Sequence, residues 1–511
     1  MTTETDAIVQ TPLGKVRGAV NDRGVSVFLG VPYAESTEGR RFLPPVPKAP
    51  RSDTFDATKH GQICPQGGAM VQGSLGESRT VGPMPDVVPG EDCLIANIWT
   101  PSPDGEKRPV MVWLHGRGFA EGAGSEGWYD GTNLALNGDV VVVTLNHRLN
   151  VFGYLHLVEL GGEQFAGSGV AGILDLAEAL RWVRDNIEAF GGDPDNVTIF
   201  GESGGGRKVC ALLAMPSAEG LFHRAIVQSS VMLRATDPAK ATEFARALLV
   251  AAGLAEGDVA GLQALPFDEL TEAYHRTQKA HGGFQCAPTI DPTYFPHHPH
   301  DPEGAPAPSS LGVPLMIGTN KDEMALFLAK SPKRRKLTEA ELHEDLEKIY
   351  SERYREILDV YRRNRPDDTP WDLWVGIESE PRRLAVNHVL EMRHRAGAAP
   401  AYLYSFDWES DFLGGLFKAA HAMEIPFVFD NADIVPMTGE REDRGELGDL
   451  MSTTWAAFAR NADPNHGGLP RWEPFDPDRR ATMVFDVPTH TEDDPRSDER
   501  TVWNGDLNYY R

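Results

Sequence analysis

The chain has 511 residues, of which 41% are hydrophobic and 24% are charged, a usage typical of folded proteins with a sizeable core rather than of disordered ones. It carries 49 Lys and Arg against 75 Asp and Glu, a formal net charge of −26. A field of that sign repels phosphate backbones and anionic lipid headgroups, so we expect neither nucleic acid nor a membrane among its partners.

The N-terminal residues Met1 to Val9 contain neither the basic start nor the apolar stretch of a secretion signal. No apolar run in the sequence is long enough to span a bilayer. We therefore expect a cytoplasmic protein. The cysteines are too few and too scattered for a disulfide scaffold or a zinc ribbon: Cys64, Cys93, Cys210 and Cys286.

The first predicted elements are two short strands near the N-terminus. Ile8 to Arg17 and Val25 to Leu29 have strand-like composition, and the turn-forming Asn21 to Gly24 separates them. This pattern predicts an antiparallel edge of a sheet.

The middle of the chain has the pattern of a parallel α/β sheet. Ala171 to Ala189 carries apolar residues at helical spacing and lies between two apolar runs, as in a strand-helix-strand crossover. Ligands of such sheets bind in the loops that follow the strands. Five apolar runs that do not alternate with polar residues are predicted to be strands buried on both faces: Val110–Leu114, Val140–Leu145, Val197–Phe200, Ala225–Val227 and Pro314–Ile317.

One of these strands ends in a motif typical of nucleophilic serines. Val197 to Phe200 runs directly into Gly201-Glu202-Ser203-Gly204-Gly205, a G-x-S-x-G motif followed by helix-compatible sequence. A serine in this turn is strained, and the glycines let neighbouring backbone pass close to it. The alternative, a glycine-rich turn with an incidental serine, is uncommon at the end of such a strand.

Another strand leads into a glycine-rich loop. His115-Gly116-Arg117-Gly118-Phe119 follows Leu114 and is similar to the loop whose backbone N–H groups bind the oxyanion in esterases. The N–H of Gly204 would complete such an oxyanion hole.

A serine alcohol needs a histidine that takes its proton and an acid that orients the histidine. The loop after Ile317 contains Asp322 and Glu323, and spacing alone does not choose between them. Among the later histidines, only His421 lies in a loop between apolar segments, and it is our leading candidate. The histidines compared are His343, His388, His394, His421, His466 and His490.

Two further segments bear on the site. Lys333 to Arg395 is charged and helical in character, with breaks at Arg365–Asp368 and Thr369-Pro370, and we predict a helical cap over residues 333–395. The cluster His297-His298-Pro299-His300 does not have the spacing of metal ligands, so we predict a surface loop there and no metal site.

These segments resemble the type-B carboxylesterase and cholinesterase family. Phe190-Gly191-Gly192, followed after four residues by Val197 to Gly205, fits the serine signature of that family. Glu91 to Pro101 fits its second signature, although Ile95 replaces the usual aromatic residue or threonine. Other similar segments extend over nearly the whole chain: Gly30–Ala34, Asn146–Gly153, Gly318–Glu323 and His421–Phe427.

The resemblance implies an α/β-hydrolase fold in a single domain, residues 1–511, with helical cap insertions. It implies Ser203 as the nucleophile, Glu323 rather than Asp322 as the acid, and His421 as the base. It further implies a supporting role for Glu202.

The resemblance also implies that the N–H groups of Arg117, Gly118 and Gly204 form the oxyanion hole. It implies in addition that Cys64 pairs with Cys93, a disulfide that a reducing cytoplasm would leave open.

The chain departs from the family pattern at two arginines near the chemistry. Arg117 stands where glycine is common, and Arg207 stands where a small residue is common. We consider Arg117 and Phe119 as substrate contacts, with the Arg117 guanidinium binding an anionic group. The alternative, which we favour, is that Arg117 faces solvent or pairs with an acid, and that Arg207 is a structural ion-pair partner.

We therefore predict a serine carboxylesterase that hydrolyses small-molecule esters through an acyl-enzyme on Ser203, without a metal or organic cofactor. Acyl transfer, or hydrolysis of amides, carbamates or lactones at the same site, is the alternative within enzymes. A non-catalytic binding protein of the same fold is a further alternative, and the intact set of Ser203, Glu323 and His421 argues against it.

Overall fold

The computed structural model describes residues 5–67, 86–283, 286–331 and 334–510, so Lys333, where the predicted cap begins, lies outside the described residues. The described strands form one sheet: β1 (Thr5–Thr11), β2 (Gly14–Val20), β3 (Ser26–Pro32), β4 (Phe55–Asp56), β5 (Ile95–Thr100), β6 (Arg108–Leu114), β7 (Val141–Leu145), β8 (Gly192–Glu202), β9 (Arg224–Gln228), β10 (Leu315–Asn320), β11 (Ala401–Phe406), β12 (Ala481–Phe485) and β13 (His490–Asp493).

The strand order across the sheet is β1-β2-β3-β5-β7-β6-β8-β9-β10-β11-β12-β13, and β4 pairs with β2. From β7 to β12 in this order, neighbouring strands pair in parallel. The strands at both ends of the sheet pair antiparallel. The predicted mostly parallel sheet with an antiparallel N-terminal edge is confirmed.

The first predicted strand, Ile8 to Arg17, is wrong in its extent. The structure divides it into β1 and β2, joined by a tight turn at residues 11–14. Pro12 has no N–H to give to a strand neighbour, and Gly14 has a φ of 128°, which is open to glycine. The turn therefore follows from Pro12 and Gly14, which the predicted strand includes.

The central strands are buried on both faces, as their composition predicts. In β6, the side chains of Val110, Val112 and Leu114 belong to one hydrophobic cluster. Those of Met111 and Trp113 belong to a second cluster. Because successive side chains of a strand point to opposite faces, these two clusters are the cores above and below the sheet.

Helices cover both faces of the sheet: α1 (Thr132–Gly138), α2 (Asn150–Tyr154), α3 (Val158–Gly161), α4 (Ala171–Asn186), α5 (Gly204–Leu213), α6 (Pro238–Ala251), α7 (Val259–Ala264), α8 (Phe267–Ala280), α9 (Ala325–Leu328), α10 (Glu339–Tyr350), α11 (Tyr354–Asn364), α12 (Pro370–Arg395), α13 (Ile425–Val428), α14 (Arg444–Asn461) and α15 (Ser497–Thr501). The predicted crossover helix is α4, which starts where predicted and ends as a 3₁₀ turn over Ile187–Phe190.

The predicted cap region contains α10, α11 and α12. The longest of them, α12, begins at a capping box in which Thr369 and Asp372 satisfy each other's backbone N–H groups. The helix break predicted at Arg365–Asp368 lies between α11 and α12. The division of the chain into one domain with a cap stays a prediction. In the ranges that the structure covers, no helix has both the length and the apolar character needed to cross a membrane.

Candidate active site

The predicted nucleophile lies on the sharp turn between β8 and α5. Ser203 has φ 57° and ψ −119°, a strained conformation for a residue with a side chain. Its N–H donates to the carbonyl oxygen of Gln228 over 3.0 Å, which fixes the turn against the end of β9. A Cβ on Gly205 would lie 1.9 Å from the carbonyl oxygen of Leu114, so only glycine fits there. The turn therefore requires the glycines that the sequence provides.

His421 and Glu323 form a buried pair. The Nδ1 atom of His421 lies 2.5 Å from Oε2 of Glu323. The other carboxylate oxygen, Oε1, accepts the backbone N–H of Asn320 over 2.9 Å. Glu323 lies three residues after the end of β10 and is fully buried, and the hydrogen bond from Asn320 helps to fix the direction of its carboxylate. Such a carboxylate can hold the imidazole in one orientation.

Asp322, the acid that spacing could not exclude, faces elsewhere. Its carboxylate accepts the backbone N–H of Ala419 over 3.3 Å and lies 3.8 Å from Nζ of Lys321. The structure therefore brings Glu323, and not Asp322, to His421. Within the described ranges, the other candidate histidines make no contact with Ser203 or Glu323: His343 on α10, His388 and His394 on α12, His466 after α14, and His490 on β13.

The second ring nitrogen of His421 faces another acid. Its Nε2 atom lies 3.1 Å from Oε1 of Glu202, the residue before the predicted nucleophile. Burial, together with the neighbouring carboxyl groups of Glu424 and Glu323, raises the pKa of Glu202 well above its usual range. Burial also lowers the pKa of His421, against the opposing effect of Glu323, so the neutral imidazole that can accept a proton is favoured.

The hydroxyl of Ser203 makes no hydrogen bond to His421 in the described structure; the imidazole instead faces Glu202. Contacts between a nucleophile and its base are often long in a free enzyme and shorten when substrate binds. Within the described ranges, the turn thus presents the Ser203 hydroxyl without tying it to another side chain.

Sequence reasoning assigned no role to Glu424, which the structure places in the same acid cluster. Its carboxyl group accepts hydrogen bonds from Asn320 over 2.6 Å and from Gln228 over 3.2 Å. Burial and the nearby Glu323 raise its pKa to about 7. The only signal in the sequence was its position, three residues after His421 in the segment His421–Phe427.

The predicted oxyanion loop lies against the start of α5. Arg117 and Gly118 both have a left-handed backbone, with φ of 63° and 64°. A Cβ on Gly204 would lie 2.2 Å from the carbonyl oxygen of Gly118, so loop and helix touch through main chain alone. Gly204 is the first residue of α5, and its N–H is one of those that a helix cannot bond internally.

The side chain of Arg117 is engaged by Glu126. Its Nε donates to Oε1 over 3.1 Å, and its second terminal nitrogen donates to Oε2 over 3.1 Å. Glu126 is buried and also accepts the indole N–H of Trp128 over 3.1 Å. The structure thus favours the ion-pair alternative for Arg117 over the anion-binding one, because the buried carboxylate already takes up the guanidinium fork.

Lys208 is a buried cation that the sequence reasoning overlooked. It lies on α5, and its Nζ donates to the carbonyl oxygen of His115 at the start of the oxyanion loop over 2.8 Å. Burial lowers its pKa well below the usual range for lysine. No motif marked this position.

Phe119 and Arg207 line one cavity, which has a volume of about 380 Å³. Phe119 is held by an edge contact with Tyr154, whose ring centroid is 5.1 Å away. The Nε of Arg207 donates to the hydroxyl of Ser230 over 3.2 Å. The guanidinium carbon of Arg207 lies 5.9 Å from the ring centroid of Tyr510. The cavity brings the residue after the oxyanion loop together with the first turn of α5.

The disulfide implied for Cys64 and Cys93 is not formed, and both residues are free and buried. Their thiols share a hydrogen bond, which together with burial raises the pKa of Cys93. The backbone N–H of Leu149 donates to the sulfur of Cys64 over 3.2 Å. The two sulfurs are thus held by hydrogen bonds in the core.

The loop with three histidines was predicted to lie at the surface, and this prediction is wrong for one of them. His300 is buried, and its Nδ1 lies 3.2 Å from the carbonyl oxygen of Met232. Over the described ranges, His, Cys, Asp and Glu side chains form no group of three or more that could hold a metal.

Comparison with protein families gives a match over nearly the whole chain. The model of the carboxylesterase family matches residues 5–503. The para-nitrobenzyl esterase of Bacillus subtilis is 37% identical, with 97% of this chain and 98% of that protein covered. Phenmedipham hydrolase of Pseudarthrobacter oxydans is 31% identical, with 94% of this chain and 95% of that protein covered.

Solved structures give the same result. A carboxylesterase of Geobacillus stearothermophilus is 38% identical and has a TM-score of 0.83, with 97% of this chain and 99% of that chain covered. An esterase of Clostridium hathewayi, described as able to hydrolyse aliphatic aromatic polyesters, is 34% identical with a TM-score of 0.82; 98% of this chain and 99% of that chain are covered. The predicted fold class and family resemblance are both confirmed by these matches.

Proposed function

Because this chain belongs to the carboxylesterase family and is a carboxylic ester hydrolase, we propose that it cleaves small-molecule esters through an acyl-enzyme on Ser203. His421 is the general base and Glu323 is the acid that orients it. The observation that carries this assignment is the buried contact of 2.5 Å between His421 Nδ1 and Glu323 Oε2, beside the strained turn that presents Ser203.

The first half of the reaction forms the acyl-enzyme. The Ser203 hydroxyl attacks the ester carbonyl and transfers its proton to Nε2 of His421. The imidazolium that results is stabilised by the Glu323 carboxylate on its other nitrogen. His421 then gives the proton to the departing alkoxide, so that the alcohol leaves and the acyl group stays on Ser203.

The second half repeats these steps with water in the place of the serine. His421 takes a proton from water, the hydroxide attacks the acyl-enzyme, and the carboxylic acid is released as Ser203 recovers its proton. All proton transfers in this scheme use Nε2 of His421, and no metal or organic cofactor takes part.

The N–H groups of Arg117, Gly118 and Gly204 stabilise the oxyanion of each tetrahedral intermediate. The left-handed backbone of Arg117 and Gly118 and the direct contact of Gly118 with Gly204 support this role, because they direct main chain toward the start of α5. One donor in such a hole contributes about 3 to 4 kcal/mol to transition-state stabilisation.

Glu202 supports the base rather than acting in its place. Its carboxyl group lies 3.1 Å from Nε2 of His421, and its raised pKa favours the protonated, neutral form. A neutral neighbour leaves the imidazole uncharged before attack, whereas a second carboxylate would favour the imidazolium. The Glu424 carboxyl group, which accepts hydrogen bonds from Asn320 and Gln228, belongs to the same acid cluster.

The test is hydrolysis of p-nitrophenyl butyrate, together with covalent labelling by a fluorophosphonate. We expect wild-type activity and a label on Ser203, and a loss of at least about four orders of magnitude in kcat for Ser203→Ala. Ser217→Ala, at an exposed serine, is the matched control and should keep both activity and label.

A folded wild-type protein that neither hydrolyses esters nor takes the label would contradict the proposal and favour a binding protein of this fold. Label without ester hydrolysis would point to amide, carbamate or lactone substrates, or to acyl transfer, at the same serine.

A further inference from the structure

A third arginine lies near the base. Arg382 is on α12, and its guanidinium carbon lies 5.5 Å from the ring centroid of Phe327. The ring of Phe327 in turn lies 5.1 Å from the imidazole of His421, at an angle of 44°. The guanidinium of Arg382 is thus one aromatic ring away from the catalytic base.

The aromatic ring next to the base is partly exposed. Phe327 is 37% exposed, although it is a large apolar side chain in contact with a buried histidine. Phe327 lies on α9, the short helix that begins two residues after Glu323. An exposed aromatic face beside a catalytic histidine is a surface that substrate can contact.

The guanidinium of Arg382 finds no carboxylate partner among the residues that the structure describes. Over the described ranges it makes no ion pair with a carboxylate, and its one polar contact is with the sulfur of Met324 at 2.8 Å. A thioether is a weak acceptor, and a guanidinium has five N–H donors in a fork that matches a carboxylate. The neighbouring Arg383 on the same helix is paired, at 2.8 Å, with Glu380.

The other two arginines of the site are held by the protein. Arg117 is bound to the buried carboxylate of Glu126, and Arg207 donates to the hydroxyl of Ser230. Arg382 therefore differs from both in having no oxygen acceptor within the described structure.

We propose that Arg382 binds a carboxylate of the substrate, so that esters carrying an anionic group are the preferred substrates of this enzyme. The inference rests on the proposed function of Ser203 and His421. A chain with a net charge of −26 repels free anions, so retention of an anionic ester needs a local cation beside the reacting centre. The Phe327 ring holds the guanidinium in place by a cation–π contact.

The experiment compares two pairs of esters that differ in one carboxylate. The p-nitrophenyl monoester of adipic acid is compared with p-nitrophenyl hexanoate, which places the charge on the acyl side. The second pair, para-acetoxybenzoate and para-acetoxybenzamide, places it on the alcohol side. For each pair, the ratio of kcat/KM for the anionic ester to that for the neutral ester is measured in wild type, Arg382→Gln and Arg382→Lys.

We expect Arg382→Gln to lower this ratio by about tenfold or more for at least one pair, since hydrogen bonds to charged groups contribute this much. Arg382→Lys should keep part of the preference, because it keeps the charge but loses the fork. Arg395→Gln, the same change at the exposed end of α12, is the control for net charge and should leave the ratio unchanged. Thermal unfolding of each variant shows that it is folded.

A ratio that does not change in Arg382→Gln for either pair would overturn the inference, even if both rates fall together. So would a wild type that hydrolyses only the neutral ester of each pair; this result leaves the proposed function intact. An inert wild type without a labelled serine would instead show that the proposed function itself fails.

Discussion

The two sides of the active site are built from different parts of the chain. The nucleophile side is main chain packed on main chain: Gly118 touches Gly204, and Gly205 touches the carbonyl oxygen of Leu114. The side next to the base is made by side chains, with Phe327 on α9 against His421 and Arg382 on α12 against Phe327. A Cβ cannot be added on the first side without moving backbone, whereas side chains on the second can change and leave the fold as it is.

This difference separates what the site must keep from what it can vary. The strained serine turn and the proposed oxyanion donors depend on one arrangement of main chain, which close backbone contacts hold in place. Substrate preference depends on side chains that line the rest of the site. We therefore expect changes on the nucleophile side to affect every ester, and changes around Arg382 to affect esters selectively.

The largest effect should come from the point where the two sides meet, the pair of His421 and Glu323. Glu323→Gln removes the charge that stabilises the imidazolium and is expected to lower kcat by about four orders of magnitude. The matched variant Asp322→Asn changes the neighbouring buried carboxylate, which faces Ala419 and Lys321, and should keep kcat near wild type.

Hydrolysis of p-nitrophenyl butyrate by both variants checks this expectation. If Asp322→Asn lost activity and Glu323→Gln kept it, the assignment of the acid would be wrong.

The next largest effect should come from a substitution that disturbs the main-chain packing of the nucleophile side. Gly205→Ala places a Cβ against the Leu114 carbonyl, and we expect about 1 to 3 kcal/mol lower stability. A shift of the turn by about 1 Å would lower kcat about a hundredfold for anionic and neutral esters alike. Thermal unfolding and kcat for both ester types are the measurements.

Gly445→Ala, in the first turn of α14, is the control for this change. No atom lies within 4 Å of its added Cβ, so stability should stay the same or rise, by up to about 1 kcal/mol. Equal behaviour of the two variants would mean that the close packing around Ser203 is not what limits substitution there.

A smaller effect on kcat/KM is expected at Arg117, and it distinguishes this arginine from Arg382. Arg117→Gly leaves the buried Glu126 without its ion-pair partner and frees the oxyanion loop. We expect kcat/KM to fall about tenfold, equivalent to about 1.4 kcal/mol, for anionic and neutral esters equally. The double variant Arg117→Gly with Glu126→Gln should recover part of the loss, because it no longer buries an unpaired charge.

The same ester pairs that test Arg382 serve for Arg117. Selective loss of anionic esters in Arg117→Gly would mean that this arginine, despite its pairing with Glu126, contributes to substrate binding.

The same contrast explains how much of the molecule could be predicted from the sequence. The central strands and the G-x-S-x-G turn were predicted because buried strands and tight turns leave composition signals at fixed spacing. The predicted extent of the first strand is wrong because Pro12 and Gly14 form a turn inside an otherwise strand-like pattern. Spacing could not choose between Asp322 and Glu323, since both follow β10 and only the packing of Asp322 against Ala419 separates them.

Side-chain partnerships between distant segments left no signal at all. Lys208 reaches the carbonyl of His115, and Arg382 reaches Phe327, across separations that no periodicity or motif records. Whether an arginine is paired or available depends on which acids the fold brings near it. Glu126 proved to be the partner of Arg117, whereas no described acid is the partner of Arg382.

The smallest effect is a shift in pH dependence, and it tests whether Arg382 also acts on the base. Only the neutral imidazole of His421 can accept the serine proton, so kcat/KM should fall in acid with a midpoint below the ordinary pKa of histidine, because burial lowers the pKa of His421. The titratable and charged groups that face this ring are the carboxyl groups of Glu323 and Glu202 and the cations Arg382 and Arg207. Removing a cation stabilises the imidazolium, so Arg382→Gln should move the acid limb to higher pH for a neutral ester, while Arg395→Gln should not. A wild-type midpoint above the ordinary value would mean that the two carboxyl groups outweigh burial, and that the ring is charged when substrate arrives.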